Sequence, residues 1–184
     1  IADKIFRLRT HGITNDKSIM KKRSESEIWN YQQIELGFNY RMNDIQAALG
    51  LNQIKRLDKY VERRNKIAKI YDKELKSLSI ILPWQSPEVY SSYHLYPIRV
   101  KNITGNNKSQ KKIYEKLRGN KIGVNLHYTP VHRHPYYESL GFKKNDFIES
   151  EKFHSECISI PIYANLKNEE QNYIIETIKK VITE

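Results

Sequence analysis

Apolar positions recur at helical spacing in some stretches of the chain and alternate in others, and the switches between the two mark out its elements. Ile1, Ile5 and Leu8 form one stripe, so residues 1–10 read as the end of a helix, with Gly12 as its stop. Residues 14–36 are polar and charged. "MKKRSESE" within them predicts an exposed loop, and the weak alternation of Trp29, Tyr31, Ile34 and Leu36 predicts a short extended stretch. Helical spacing returns with Ile45, Ala48 and Leu49 and continues through Leu57, Val61, Ala68, Tyr71, Leu75 and Leu78. That run is too long for one ordinary helix, which predicts two helices or one long bent one, ended by Ser77, Ser79 and Pro83. Its start is well marked. Asn43 can cap the first turn, Gln46 can complete a capping box, and Asp44 suits the positive end of the helix dipole.

The remainder alternates between short elements. "SSYHLYPIRV" (91–100) predicts a strand, and Pro97, which has no amide proton, places it at an edge or a bulge. "NITGNNKS" (102–109) is a loop, and "QKKIYEKLRGN" (110–120) a helix closed near Gly119. "IGVNLHYTPV" (122–131) alternates strictly, with Ile122, Val124, Leu126 and Tyr128 on one face and Gly123, Asn125 and His127 on the other. "HRHPYYESLGF" (132–142) is an aromatic loop or short turn of helix. A helix in "FIESEKFHSEC", a strand in "ISIPIY" and a last amphipathic helix in "NEEQNYIIETIKKVI" complete the chain. The pattern is that of a long helix leading into a small α/β layer domain with a short sheet, with boundaries at 1–43, 44–78 and 79–184.

A chain of 184 residues can bury a substantial core. Its start at Ile1, inside a helical stripe, is expected for a piece or the ordered part of something longer. The net charge of +11 favours acidic partners, but the cations are spread along the chain and form no basic tail. A basic nucleic-acid-binding module, using that charge and the 13 tyrosines, is the rival from another functional class; the even spread of charge speaks against it. The single cysteine, Cys157, makes no intramolecular disulfide and sits in an apolar run, so a buried, inert thiol in a reducing, cytoplasmic setting is expected. No apolar run approaches the roughly 20 residues of a membrane-spanning helix.

The chemistry-bearing residues are few. His132 and His134 flank Arg133, but no carboxylate pair or cysteine pair stands at ligand spacing, so the rim of a polar pocket is preferred to a metal site. On the strand reading His127 shares a face with Asn125 and Gly123. Such a face makes a poor core; it lines something polar or is open to solvent. No nucleophile elbow, phosphate-binding glycine loop or dinucleotide fingerprint is present.

The stretch "LGFNYRMNDIQAALGLNQIKRLDKYVERRNKIAKIY" changes the reading. It resembles the segment that follows the active-site lysine in the DegT-type nucleotide-sugar aminotransferases, which are pyridoxal-phosphate (PLP) enzymes of the aspartate-aminotransferase fold (fold type I). "RTHGI" before it and "YHLYPIRV", "IGVNLHYTPVHRHPYYESLGF" and "ISIPIYANLKNEEQNYIIETIKKVI" after it continue the resemblance in order over nearly the whole chain. "WNYQQIELGFNYRM" and "HYTPVHRHPYYESLGF" are most similar to the branch that aminates a UDP-4-keto-6-deoxy-N-acetylhexosamine in pseudaminic acid biosynthesis; perosamine-type relatives share most of these words.

The resemblance implies the C-terminal half of such an enzyme, with residues 1–43 as the tail of the cofactor-binding domain. The Schiff-base lysine is expected upstream of Ile1, so these 184 residues alone are expected to be inactive. It also implies a homodimer with shared active sites, in which the loop before the helix reaches the partner's cofactor phosphate through Asn39 or Arg41. An amide gives a phosphate one neutral hydrogen bond, and a guanidinium can grip it with two. Glutamate would be the amine donor and a UDP-sugar the acceptor at carbon 4. His127 is the first candidate for a substrate contact, with Asn125 and Tyr128 behind it; these last two share a cleft only if the strand ends near residue 127.

Overall fold

The computed structural model describes residues 1–22, 30–101 and 109–183. All but Ser109 of the expected "NITGNNKS" loop, most of "MKKRSESE" and Trp29 therefore lie outside the described residues. The chain divides into two compact units, Ile1–Lys55 and Arg56–Glu184.

The first unit begins with helix α1 (Ala2–Leu8), which ends just ahead of His11 and Gly12, both at positive φ (61° and 70°). The reversal feeds strand β1 (Ile13–Thr14), which pairs antiparallel with β2 (Gln32–Gln33). The return strand continues into the 34–40 segment, laid along the end of α1. The Phe38 N–H donates to the Leu8 carbonyl (2.6 Å), the His11 N–H to the Phe38 carbonyl (2.8 Å) and the Tyr40 N–H to the Arg9 carbonyl (2.9 Å). The close approach requires glycine at both crossing points. A Cβ on Gly12 would lie 1.9 Å from the Glu35 carbonyl oxygen, and one on Gly37 would lie 2.2 Å from the Gly12 nitrogen. An ion pair between Arg7 Nε and Glu35 Oε1 (2.8 Å) fastens the same crossing from outside.

Helix α2 (Asp44–Ile54) follows with the expected capping box: Asn43 Oδ1 accepts from the Gln46 N–H (2.9 Å), and Gln46 Oε1 accepts from the Asn43 N–H (3.2 Å). The long apolar run does break in two. α2 ends at Ile54, and α3 (Leu57–Leu75) starts a new helix in the second unit. The unit boundary thus falls between the helices, where the sequence pattern had placed a connector spanning 44–78. α2 buries none of its side chains within the described residues, and Ile45, Leu49 and Ile54 are all exposed.

The second unit is built on a three-stranded antiparallel sheet in the order β3 (Ile80–Ile81), β4 (Tyr96–Val100), β5 (Cys157–Ile160). One sheet face presents Tyr96, Ile98, Val100, Ile158 and Ile160 to a buried cluster that includes Ile67, Tyr71 and Leu75 of α3, Ile113 and Leu117 of α4 (Gln110–Gly119), and Ile174, Ile175 and Ile178 of α7 (Asn168–Thr183). Burial of this set is the main stabilising force, at about 1.5–3 kcal/mol per large apolar side chain. Tyr71 and Tyr96 place their hydroxyls inside it. Tyr71 donates to the Pro161 carbonyl (2.8 Å) and Tyr96 to Asp72 (2.5 Å), and burial pushes both phenols well above their ordinary pKa. The opposite face carries Arg99, Cys157 and Ser159. There Arg99 donates to Glu156, the last residue of α6 (Ile148–Glu156), through Nη2 (2.7 Å) and Nε (3.0 Å), and stands over the Phe153 ring (5.7 Å).

Three expectations are corrected by the sheet. Pro97 lies in the central strand, not at an edge. Ser159, its partner in register, spends its own N–H and carbonyl on Asn125, so Pro97 and Ser159 form a pair without ladder hydrogen bonds. The missing amide proton therefore faces the β3 side, where β3 has already ended at Ile81. The strand is central, but this position has no neighbour to disappoint. The second correction concerns 122–131, which is not a strand. It forms one isolated antiparallel bridge, Asn125 to Ser159, on the outer side of β5. The predicted strand at 91–100 is also shorter, because Tyr93 sits at φ 43° and pairing starts at Tyr96.

Candidate functional site

The residues singled out by sequence fall into both units. Asn39 and Arg41 lie in the first, and Asn125, His127 and Tyr128 in the second.

In the first unit the 37–42 segment leaves the glycine crossing with its backbone committed and its side chains free. Asn39 bridges to Thr10 through the main chain, while its amide and the Arg41 guanidinium are exposed. Phe38 and Tyr40 stack on each other (centroids 4.9 Å apart, planes 17° apart) with both rings largely in solvent. Asn39 and Arg41 precede Asn43, whose capping box orients the first turn of α2. This is a donor set held by a rigid base: one amide, one guanidinium and a nearby helix N-terminus, a combination suited to an anion such as a phosphate monoester.

In the second unit the 122–128 segment keeps its predicted alternation in burial as far as Leu126. Ile122 and Val124 are buried, Gly123 and Asn125 exposed. The pattern then breaks. Tyr128 is 70% exposed where strict alternation would have put it in the core, and His127 is half-buried. The His127–Tyr128 peptide is cis, and the two rings meet edge to face at 4.8 Å. Burial therefore stops alternating after Leu126, and the Asn125 and Tyr128 side chains are both exposed. His127 Nδ1 is shut off from water and has no hydrogen-bond partner among the described residues. Leaving such a group unpaired costs about 1–3 kcal/mol.

Three supports were not legible in the pattern. His154 on α6 donates from Nδ1 to the Tyr128 carbonyl (3.1 Å), fixing the turn beyond His127. The Asn125 main chain is held by Ser159 through both of its bonds (2.8 and 3.2 Å). His132, at the head of the aromatic hairpin, is buried; its Nε2 donates to Glu151 Oε1 (2.9 Å), while Arg133 donates to Glu151 Oε2 (3.4 Å). His132 and Arg133 thus tie the short 3-10 turn Val131–Arg133, just ahead of helix α5 (Pro135–Ser139), to Glu151 of α6. No group of three or more possible metal-ligating side chains occurs among the described residues, and no helix there is long and apolar enough to cross a membrane.

Comparison with known proteins places this arrangement. The chain is 37% identical over its whole length to an uncharacterized protein, MJ1066, of Methanocaldococcus jannaschii, of which it covers 47%. It is 31% identical to a UDP-4-amino-4,6-dideoxy-N-acetyl-beta-L-altrosamine transaminase of Campylobacter jejuni, over 99% of this chain and 45% of that protein. Among solved structures, a putative sugar aminotransferase of Streptococcus pneumoniae, Spr1654, superposes in its PMP-form with a TM-score of 0.82 at 30% identity, over 98% of this chain and 43% of that one. A PLP-form of the same protein matches at 0.80. The chain spans less than half the length of each of these relatives. The family model for the DegT/DnrJ/EryC1/StrS aminotransferases matches residues 1–179 continuously, through both units, and with it the fold-type-I architecture; the chain belongs to the DegT/DnrJ/EryC1/StrS aminotransferase family.

Proposed function

We propose that this chain contributes the interface loop and the small domain of a PLP-dependent sugar aminotransferase. The reaction moves an amino group from glutamate to carbon 4 of a UDP-4-keto-6-deoxy-N-acetylhexosamine, as in pseudaminic acid biosynthesis, in a cytoplasmic homodimer with shared active sites. The observation that carries this reading is the 37–46 segment, where two exposed phosphate-type donors, Asn39 and Arg41, stand on and just after a backbone segment bonded to the end of α1. The Campylobacter jejuni relative supports the choice of sugar.

The residues present fit the phosphate end of PLP. Arg41 offers a bidentate fork and Asn39 a neutral donor. PLP, when bound, supplies the electron sink for amine transfer. This chain's own part is to hold and orient. Asn39 and Arg41 bind the phosphate of the neighbouring subunit's cofactor. His127 contacts the sugar, and the exposed Asn125 and Tyr128 side chains bracket it. His154 and Ser159 keep that bracket in place.

The test is complementation in a mixed dimer of the full-length enzyme. One subunit lacks the cofactor-bearing lysine; the other carries Asn39→Ala with Arg41→Ala. Each parent homodimer is inactive, and mixing restores one complete site. Absence of recovered activity despite demonstrated subunit exchange refutes the shared-site reading. Product analysis with UDP- and GDP-linked 4-keto sugars separates the pseudaminic branch from a perosamine-type one. The 184-residue chain by itself, given PLP, glutamate and keto sugar, should show no turnover above background.

A further inference from the structure

We propose that the N-terminal half of α3 and the turn after β5 form a binding groove for a small diphosphate-bearing anion. A cavity of about 530 Å³ runs between that half of the helix and Ala164–Asn165. This volume lies within the roughly 300–1,000 Å³ of ordinary small-ligand sites. Its lining is cationic: Arg56, Lys59, Arg63 and Lys66 border it, with Tyr60 between them. At about 100° per residue these five positions fall within an arc of about 120°, beside the stripe that α3 buries, and they extend about 15 Å along the axis. That span matches a diphosphate with one attached group.

The groove is partly preorganised. Arg63 donates from Nη2 to the Leu166 carbonyl (2.6 Å) and to Asn168 Oδ1 (2.9 Å), which pins its guanidinium across the groove. With Nη2 spent on these two acceptors, Arg63 can offer an anion only single bonds, from Nε or from Nη1. The one carboxylate in the lining, Glu62, is engaged by Lys66 at 2.7 Å. Tyr60 is half-buried and offers a ring to whatever the diphosphate carries. A polynucleotide would need a longer track of charge than one helix face, and the other cations of the chain are dispersed. This inference does not depend on the roles assigned to Asn39 and Arg41.

Titrating the full chain calorimetrically with inorganic pyrophosphate tests it, with amide-resolved NMR to locate the site. The expected result is saturable binding in the sub-millimolar range, with perturbed amides at Arg63–Lys66 and at Ala164–Leu166. Lys59→Glu and Arg63→Ala should each weaken binding at least tenfold; Lys76→Ala, outside the groove, should not. Lys59 makes no tertiary hydrogen bond among the described residues, so its variant stays informative if Arg63→Ala disturbs the turn. ADP in place of pyrophosphate identifies the source. Tighter binding that falls back in Tyr60→Ala assigns a nucleoside diphosphate, and equal binding assigns the diphosphate alone. The proposal is overturned by unsaturable binding, by indifference to Lys59→Glu, by shifts confined to residues around Arg41, or by an oligonucleotide that binds and is not displaced by pyrophosphate.

Discussion

Replacing Gly37 with alanine should unseat the whole 37–42 segment from α1. The added Cβ would stand 2.2 Å from the Gly12 nitrogen, 2.5 Å from the His11 carbonyl carbon and 2.8 Å from the Leu8 carbonyl oxygen, all backbone atoms that cannot rotate away. Relief requires separation of the two chain segments. That breaks the three main-chain bonds from Phe38, His11 and Tyr40, each worth about 1 kcal/mol net. Overpacking strain adds about 1–3 kcal/mol if the contact is kept instead. A local destabilisation of about 3 kcal/mol follows on separation, enough for a ~10²-fold faster hydrogen exchange of the Phe38 and Tyr40 amides, while α3 to α7 exchange as before. In the full-length enzyme PLP retention should fall as far as in Asn39→Ala with Arg41→Ala, although no phosphate-binding side chain has changed. Gly50→Ala is the control. Its Cβ meets nothing within 4 Å, and alanine there should strengthen α2 by up to about 1 kcal/mol. Unchanged exchange at Phe38 and Tyr40 in Gly37→Ala would show that the crossing is softer than its geometry implies, and the account of Asn39 and Arg41 as rigidly presented donors would fall with it.

Other outcomes follow from the same structure. Asn43→Ala should cost about 1 kcal/mol at the start of α2, read as faster exchange at Gln46, because the cap and its reciprocal bond are both lost. Burial pushes the Cys157 thiol up to about 11, against the partial opposing pull of Arg99 and Ser159, so at pH 8 a small disulfide reagent should label it about 100-fold more slowly than a free thiol on ionisation alone. Because that pKa is raised on folding, the stabilising contribution is complete below about pH 9 and is lost as pH climbs toward 11; Cys157→Ala should flatten the alkaline fall in stability. Glu156→Ala leaves the half-buried Arg99 without its two-bond partner and should lower stability by about 1–3 kcal/mol in thermal denaturation.

What could be read in advance was local. The capping box at Asn43 and Gln46 is a four-residue signal and formed as such, and the helical spacing through 45–78 broke where its length required. Alternation over 122–126 correctly reported which side chains are buried, but burial period is not a ladder. Only Asn125 finds a strand to bond with, so a segment with strand-like burial is not a strand. Pro97 misled for a related reason. A proline's tolerance depends on where the neighbouring strand stops, and that is set by a residue 16 positions earlier, Ile81. The Gly12–Gly37 crossing and the His154 hold on Tyr128 join residues 25 and 26 positions apart, and no local turn grammar announces either. Without the family resemblance, Asn39 and Arg41 would have remained two polar residues ahead of a helix.

The glycine crossing also decides how this part of the chain can vary. The chain leaves at Thr14 and returns at Gln32 through the β1–β2 pair, with Lys21 bonded in both directions to the Gln32 side chain and Gly12 against the 35–37 backbone. Once a base is clamped, lengthening the excursion costs little, about 0.6 kcal/mol for each doubling. Insertions and deletions should therefore accumulate between residues 15 and 31, whereas neither glycine can drift alone, since a side chain on either one meets the main chain of the other arm. The result is a joint that tolerates changes of length on one side and almost none of composition at its two glycines, a natural point for grafting a foreign loop without moving the residues that follow it.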